Sequence, residues 1–133
     1  MSARSEGWQD GHYVLLLEPA EAKAYGVDHY LPKHRIVGLL DWDDFIVEDA
    51  AGRRFTVPTV PLDPKHLKEL QPPLSFDELA PDPKCAGKIR WHVTPIVLGG
   101  DPKAEDNVAW LALADHQAAV KFWNEKYQQL RRK

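Results

Sequence analysis

Near the end of the chain, apolar and aromatic residues recur at helical spacing. Leu113, His116, Val120, Trp123, Tyr127 and Leu130 are separated by 3, 4, 3, 4 and 3 positions, which places them on one face of a helix. Lys121, Glu125, Lys126 and Gln129 fall on the opposite face. Ala112 is a poor N-cap, whereas Asp115 is an acid suited to the first turn. Arg131, Arg132 and Lys133 suit the negative end of the helix dipole. The pattern predicts a helix that follows a short strand over residues 107–111 and runs to the C-terminus.

Upstream, the runs are shorter and strand-like. Residues 12–17 (HYVLLL) form a continuous apolar run, the pattern of a buried strand, closed by Glu18-Pro19. Residues 20–26 (AEAKAYG) predict one or two helical turns stopped by Gly26. Tyr30-Leu31-Pro32 turns the chain into a second strand over 35–40, and Asp41, Trp42, Asp43 and Asp44 form an acidic turn. A third strand over 45–49 (FIVED) and a fourth over 53–57 (RRFTV) flank Ala51-Gly52, a good hairpin signal. Residues 58–62 read as extended, because two prolines exclude an inner strand. Asp63-Pro64 predicts the N-cap and first position of a short helix with its body over 65–70. Pro72, Pro73, Pro81 and Pro83 make 71–88 a loop, with one helical turn over 75–79. A strand over 89–98 and the loop Gly99-Gly100-Asp101-Pro102 lead into the terminal strand and helix. The glycines permit a tight connection, and Asp101 is placed to hydrogen-bond the backbone that follows it. Residues 1–11 are polar and read as a flexible arm. The expected fold is α+β: one domain over 1–133, an antiparallel sheet with hairpins covered on one side by helices, and a long C-terminal helix.

Composition narrows the chemistry. With 133 residues, 44% of them hydrophobic, the chain can bury one core. Its net charge of −3 argues against non-specific nucleic-acid binding. The single cysteine, Cys85, excludes an internal disulfide and a cysteine-based zinc site. Nothing near Cys85 in the sequence would activate its thiol. The start, MSARSEGWQDGH, lacks the apolar stretch of a signal peptide, and no run reaches membrane-spanning length. A cytoplasmic location is therefore expected. His12, His29, His34 and His66 show no metal-ligand spacing with one another. Five tryptophans in so short a chain are unusual, since Trp serves both cores and binding hot spots.

Residues 25–63, YGVDHYLPKHRIVGLLDWDDFIVEDAAGRRFTVPTVPLD, resemble the SUKH superfamily. The matching positions are Leu31 and Pro32 before a strand, Gly38, Asp49 and Gly52 around a hairpin tip, and Val57-Pro58. Asp41-Trp42-Asp43-Asp44 stands where many members carry a Gly-rich turn. The resemblance implies an α+β fold and a bacterial immunity protein that binds and neutralises a cognate toxin. It implies no catalytic residue, no cofactor, no metal, no membrane and no direct contact with nucleic acid. A binding surface of that kind needs aromatic anchors and complementary charge. The expected partner-binding residues are Asp41, Trp42, Asp43, Asp44, Trp91 and His92; the alternative for the turn is that Trp42 packs inward.

The segment WHVTPIVLGGDPKAEDNVAWLALADH resembles the outline of an HNH nuclease finger, with His92, Gly99, Gly100, Asn107 and His116 in the motif's order. That resemblance implies a metal-dependent nuclease in which His92 acts as general base on water, with Asn107 and His116 in support. Two departures weaken it. Trp91 stands where a metal-binding residue is usual, and Val120 stands four positions after His116. His116 also lies on the helix's apolar stripe, the ordinary place for a packed histidine. The Gly-Gly-Asp-Pro, Asn, His and Trp-Asn pieces also resemble C-terminal parts of SUKH-like proteins, which favours reading both halves as one domain.

Overall fold

The computed structural model describes residues 6–26, 30–60, 62–70, 79–80, 82–84, 88–92, 99–101 and 103–131. The apolar runs of the first half become one antiparallel meander. Strands β1 (Glu6–Gln9), β2 (His12–Leu16), β3 (His34–Leu40), β4 (Asp44–Asp49), β5 (Arg54–Pro58) and β6 (Lys68–Glu69) lie side by side in chain order. Helix α1 (Pro19–Lys23) connects β2 to β3. Strands β7 (Ile89–His92) and β8 (Val108–Leu111) form a separate two-stranded ribbon, and helix α2 (Leu113–Arg131) follows. The α+β architecture is the one expected. No helix among the described residues is long and apolar enough to cross a membrane.

Tyr13, Val14 and Leu15 are all fully buried, as a continuous apolar run requires when both sheet faces are covered. On one face Tyr13, Leu15, Leu39, Phe45 and Val47 pack with Tyr25, Ile89 and Val120, under α2 and the ribbon. On the other face Val14, Leu40 and Ile46 pack with Leu70, and Leu79 lies against them. Strands β2 and β3 approach closely at Gly38. A Cβ there would lie 2.4 Å from the Leu15 carbonyl oxygen, so no other residue fits without moving backbone. The β3–β4 register shifts between Ile36 and Gly38.

Three local expectations change. Residues 6–9, read as part of a flexible arm, form β1. Its backbone pairs with β2 on one side and with Ala80 on the other, through Trp8 N to Ala80 O (2.9 Å) and Ala80 N to Trp8 O (3.0 Å). Polar composition does not forbid a strand whose backbone is bonded along both edges. The helix expected over 65–70 is instead a 3-10 turn over Pro64–His66, capped by Asp63 Oδ1 accepting from Lys65 N (3.0 Å), and then β6. Extension there lets Leu70 N bond Arg54 O and seats the Leu70 side chain on the second face. Of the strand expected over 89–98, Ile89–His92 is described and is strand β7; the remainder lies outside the described residues, as do Cys85, His29 and residues 75–78 of the expected helical turn. The buried line of α2 is His116, Val120 and Asn124, while Trp123 and Tyr127 are half-buried and Leu130 is exposed.

The Ala80 contact has a checkable consequence. A Cβ on Gly7 would sit 2.5 Å from the Ala80 carbonyl carbon. Gly7→Ala is expected to cost about 1–3 kcal/mol, the usual range for overpacking. Amide exchange at Trp8 and Ala80 should then accelerate, whereas β3 and β4 should stay protected.

Candidate functional site

The β3–β4 turn is braced by hydrogen bonds, ring contacts and an ion pair. Asp41 (φ 51°) and Trp42 (φ 64°) both occupy the left-handed region. For a non-glycine residue this costs of order 1–3 kcal/mol each and persists only where neighbouring contacts impose it. Those contacts come from β1, β2, β7 and β8. Asp41 N donates to Tyr13 O (2.7 Å), Asp41 Oδ1 accepts from Tyr13 N (2.9 Å), and Asp41 Oδ2 lies 2.7 Å from His12 Nδ1. The Trp42 ring stacks on Tyr13 at 4.6 Å and 17°. Trp110 and Trp8 meet Trp42 edge-to-face at 5.3 and 6.1 Å. The Arg90 guanidinium lies 5.2 Å from the Trp42 ring centroid, donates to Asp43 Oδ2 at 2.5 Å, and reaches Asp41 O at 3.3 Å. Asp43 Oδ1 also lies 3.6 Å from His92 Nδ1.

This arrangement brings Asp41, Trp42, Asp43 and His92 together, with Trp42 in the alternative, inward-packed position. Trp42 is 7% exposed and packs inward, so it is the centre of the brace and not a protruding anchor. The large rings that this face presents to solvent are Trp8 at 37% and Trp110 at 46%. Asp41 and Asp43 keep about two-fifths of their side-chain surface exposed between them. Asp44 is half-buried in β4 and alternates to the face that carries Ile46. Burial, then the charges of Asp43 and Asp41, hold its carboxyl above the usual range against an opposing pull from Lys68.

Strand alternation separates the two ribbon residues expected at the site. Arg90 and His92 face Asp43, whereas Ile89 and Trp91 are buried on the opposite side of β7. Trp91 meets His116 edge-to-face at 5.2 Å and takes no part in the exposed patch. Trp110 and Arg90, which the sequence reading did not select, are directly opposed across β7 and β8. Only the register of that ribbon places them beside the acidic turn. Trp8 was missed because its strand was taken for a loose arm.

The nuclease constellation does not converge. His116 is fully buried with Nδ1 2.6 Å from Tyr25 Oη, and burial lowers its pKa to about 4. It lies behind Trp91, on the far side of β7 from His92. Asn107 is 9% exposed, and its Nδ2 donates to Asp101 O (3.1 Å). It thus fixes the loop in which Gly99 has φ +97° and Asp101 Oδ1 accepts from Lys103 N (2.9 Å). Among the described residues no group of three His, Cys, Asp or Glu side chains is placed to hold a metal ion.

Chemically, the patch is two half-open indoles framing two carboxylates on a rigid turn. It suits a cationic, partly apolar surface: the rings supply area and cation–π attraction, and the carboxylates accept charged hydrogen bonds. No protein-family model, no curated protein and no solved structure gives a significant match to the chain.

Proposed function

We propose that this chain is a non-catalytic protein-binding module of the immunity type, which acts in the cytoplasm by binding and neutralising a cognate bacterial toxin. The binding face is built on Trp8, Asp41, Asp43 and Trp110, with His92 at its margin. The observation that carries the reading is the pair of half-exposed tryptophans around an acidic turn whose strained conformation is held by Tyr13, Arg90 and Trp42. Exposed Trp rings are characteristic binding hot spots, and a turn fixed in advance loses little entropy on association. The resemblance of residues 25–63 to the SUKH superfamily supplies the toxin as the kind of partner. Acidic groups at the centre of the face favour a basic partner, as toxins that act on nucleic acid often are, and they accelerate its capture.

Co-expression tests this directly. The chain is produced together with a growth-inhibiting toxin domain that co-purifies with it, and growth is followed after induction. Wild-type protein is expected to restore growth, and Trp110→Ala with Asp41→Lys is expected to lose that protection while remaining folded by circular dichroism. Full protection by the folded double variant would remove this face from the interaction.

A further inference from the structure

A second concave site lies at the other end of β3. The cleft has a volume of about 380 Å³ and is bounded by α1 and its approach (Leu17, Ala22, Lys23), by β3 (Arg35, Ile36), by Glu48 of β4 and by Arg54 of β5. That volume is within the range of small-molecule sites. The acidic turn is six residues along from Arg35, roughly 20 Å at strand rise.

The cleft's charge runs against that of the chain. Lys23, Arg35 and Arg54 face a single carboxylate, Glu48, on a protein of net charge −3. Arg35, Glu48 and Arg54 are opposed in register across three strands, with Arg35 Nη2 at 2.5 Å and Arg54 Nε at 3.4 Å from the Glu48 oxygens. Glu48 therefore orients both guanidinium groups but neutralises only one. Two of the five Arg35 N–H bonds go to Glu48 Oε1, and with the side chain 73% exposed the others remain available to a ligand. The Lys23 side chain has no hydrogen-bond or ion-pair partner among the described residues. Leu17, Ala22, Ile36 and Val37 contribute apolar lining to the same cleft.

We propose that this cleft binds a small organic anion, its carboxylate or phosphate head bonded by Arg35 and Lys23 and its short apolar body set against Leu17, Ala22 and Ile36. A planar guanidinium already oriented by Glu48 is suited to two-point bonding of such a head. The site is independent of the toxin-binding face and of any partner held there.

The test is an NMR titration of the full chain with phenyl phosphate, benzoate and phenol, read at the methyl resonances of Leu17, Ala22 and Ile36. One or both anions are expected to give saturable shifts at these methyls, and the tighter of the two identifies the head group. Phenol is expected to bind at least ten-fold more weakly. Arg35→Gln, a change at an exposed side chain, should weaken the preferred anion ten-fold or more with the fold unchanged, and Lys23→Gln should do so in part. Absence of saturable shifts, phenol binding as tightly as the anions, or undiminished affinity in Arg35→Gln would each overturn the proposal.

Discussion

Replacing Asn124 with leucine is expected to destabilise the fold by about 4 kcal/mol, although the helix itself favours the change. Asn124 is 1% exposed on the inner face of α2. Its Oδ1 accepts from Leu62 N (2.7 Å), and its Nδ2 donates to Thr59 O (2.8 Å) and to Val120 O (2.9 Å). One side chain thus ties the extended segment after β5 to the C-terminal helix. Thr59 and Leu62 are themselves buried, so water cannot replace the lost partner. Each orphaned buried backbone group costs about 1–3 kcal/mol. Two such groups remove a large share of the 5–15 kcal/mol that stabilises an ordinary domain. Urea denaturation followed by tryptophan fluorescence measures the loss. A change below 1 kcal/mol would mean that the segment repacks and the Asn124 bonds are dispensable.

The second large effect is on acid stability. Neutral His116 is held by Tyr25 Oη at Nδ1 and is enclosed by the edges of the Tyr25 and Trp91 rings. Burial lowers its pKa from 6.5 to about 4. Above pH 7 both folded and unfolded forms are neutral, and His116 makes stability independent of pH. Between 6.5 and about 4 the unfolded chain takes up a proton that the folded chain refuses, so stability falls with pH. The total loss approaches about 3 kcal/mol, at 1.36 kcal/mol per pKa unit. Glu48 adds a separate loss lower on the scale. Hydrogen bonding from Arg35 first, then its charge and Arg54, holds its carboxyl below the usual range, so its contribution disappears only as pH falls through that lowered value. His116→Gln removes the first phase and keeps the second. Denaturation midpoints of the two proteins at pH 7.5 and pH 4.5 isolate the first phase, which lies above the Glu48 window; equal midpoint shifts would show that His116 does not carry it.

What the sequence revealed follows the strength of each local signal. The central strands β2 to β5 and helix α2 rest on long apolar runs and sustained periodicity, and both survive folding. Strands β1 and β6 carry no such pattern, because backbone pairing creates them, with β2 and Ala80 for β1 and with β5 for β6. Asn124 was invisible for a related reason: a polar residue beside Trp123 is unremarkable until Thr59 and Leu62 are brought to it. At the candidate site, the acidic turn was legible as a local motif. The direction of Trp42 was not, since it depends on the Tyr13 stack and the Arg90 cation. Trp110 became part of the face only through the β7–β8 register, which pairs it with Arg90 and carries it to the turn. His92 and Trp91, adjacent in sequence, went to opposite sides of their strand by the two-residue alternation.

The proposal that the face around Trp8, Asp41, Asp43 and Trp110 binds a basic protein partner meets its sharpest test in calorimetric titration of a toxin domain isolated by pull-down with the chain into wild-type protein and Trp110→Ala. Trp110 is nearly half exposed, so its removal leaves the core in place. Trp110→Ala is expected to weaken binding about 30-fold, the loss of a hot spot worth about 2 kcal/mol. Wild-type affinity is expected to fall as salt rises from 50 to 500 mM, since screening weakens the attraction of the exposed carboxylates. Equal affinities for the two proteins, insensitive to salt, would remove this face from the interaction.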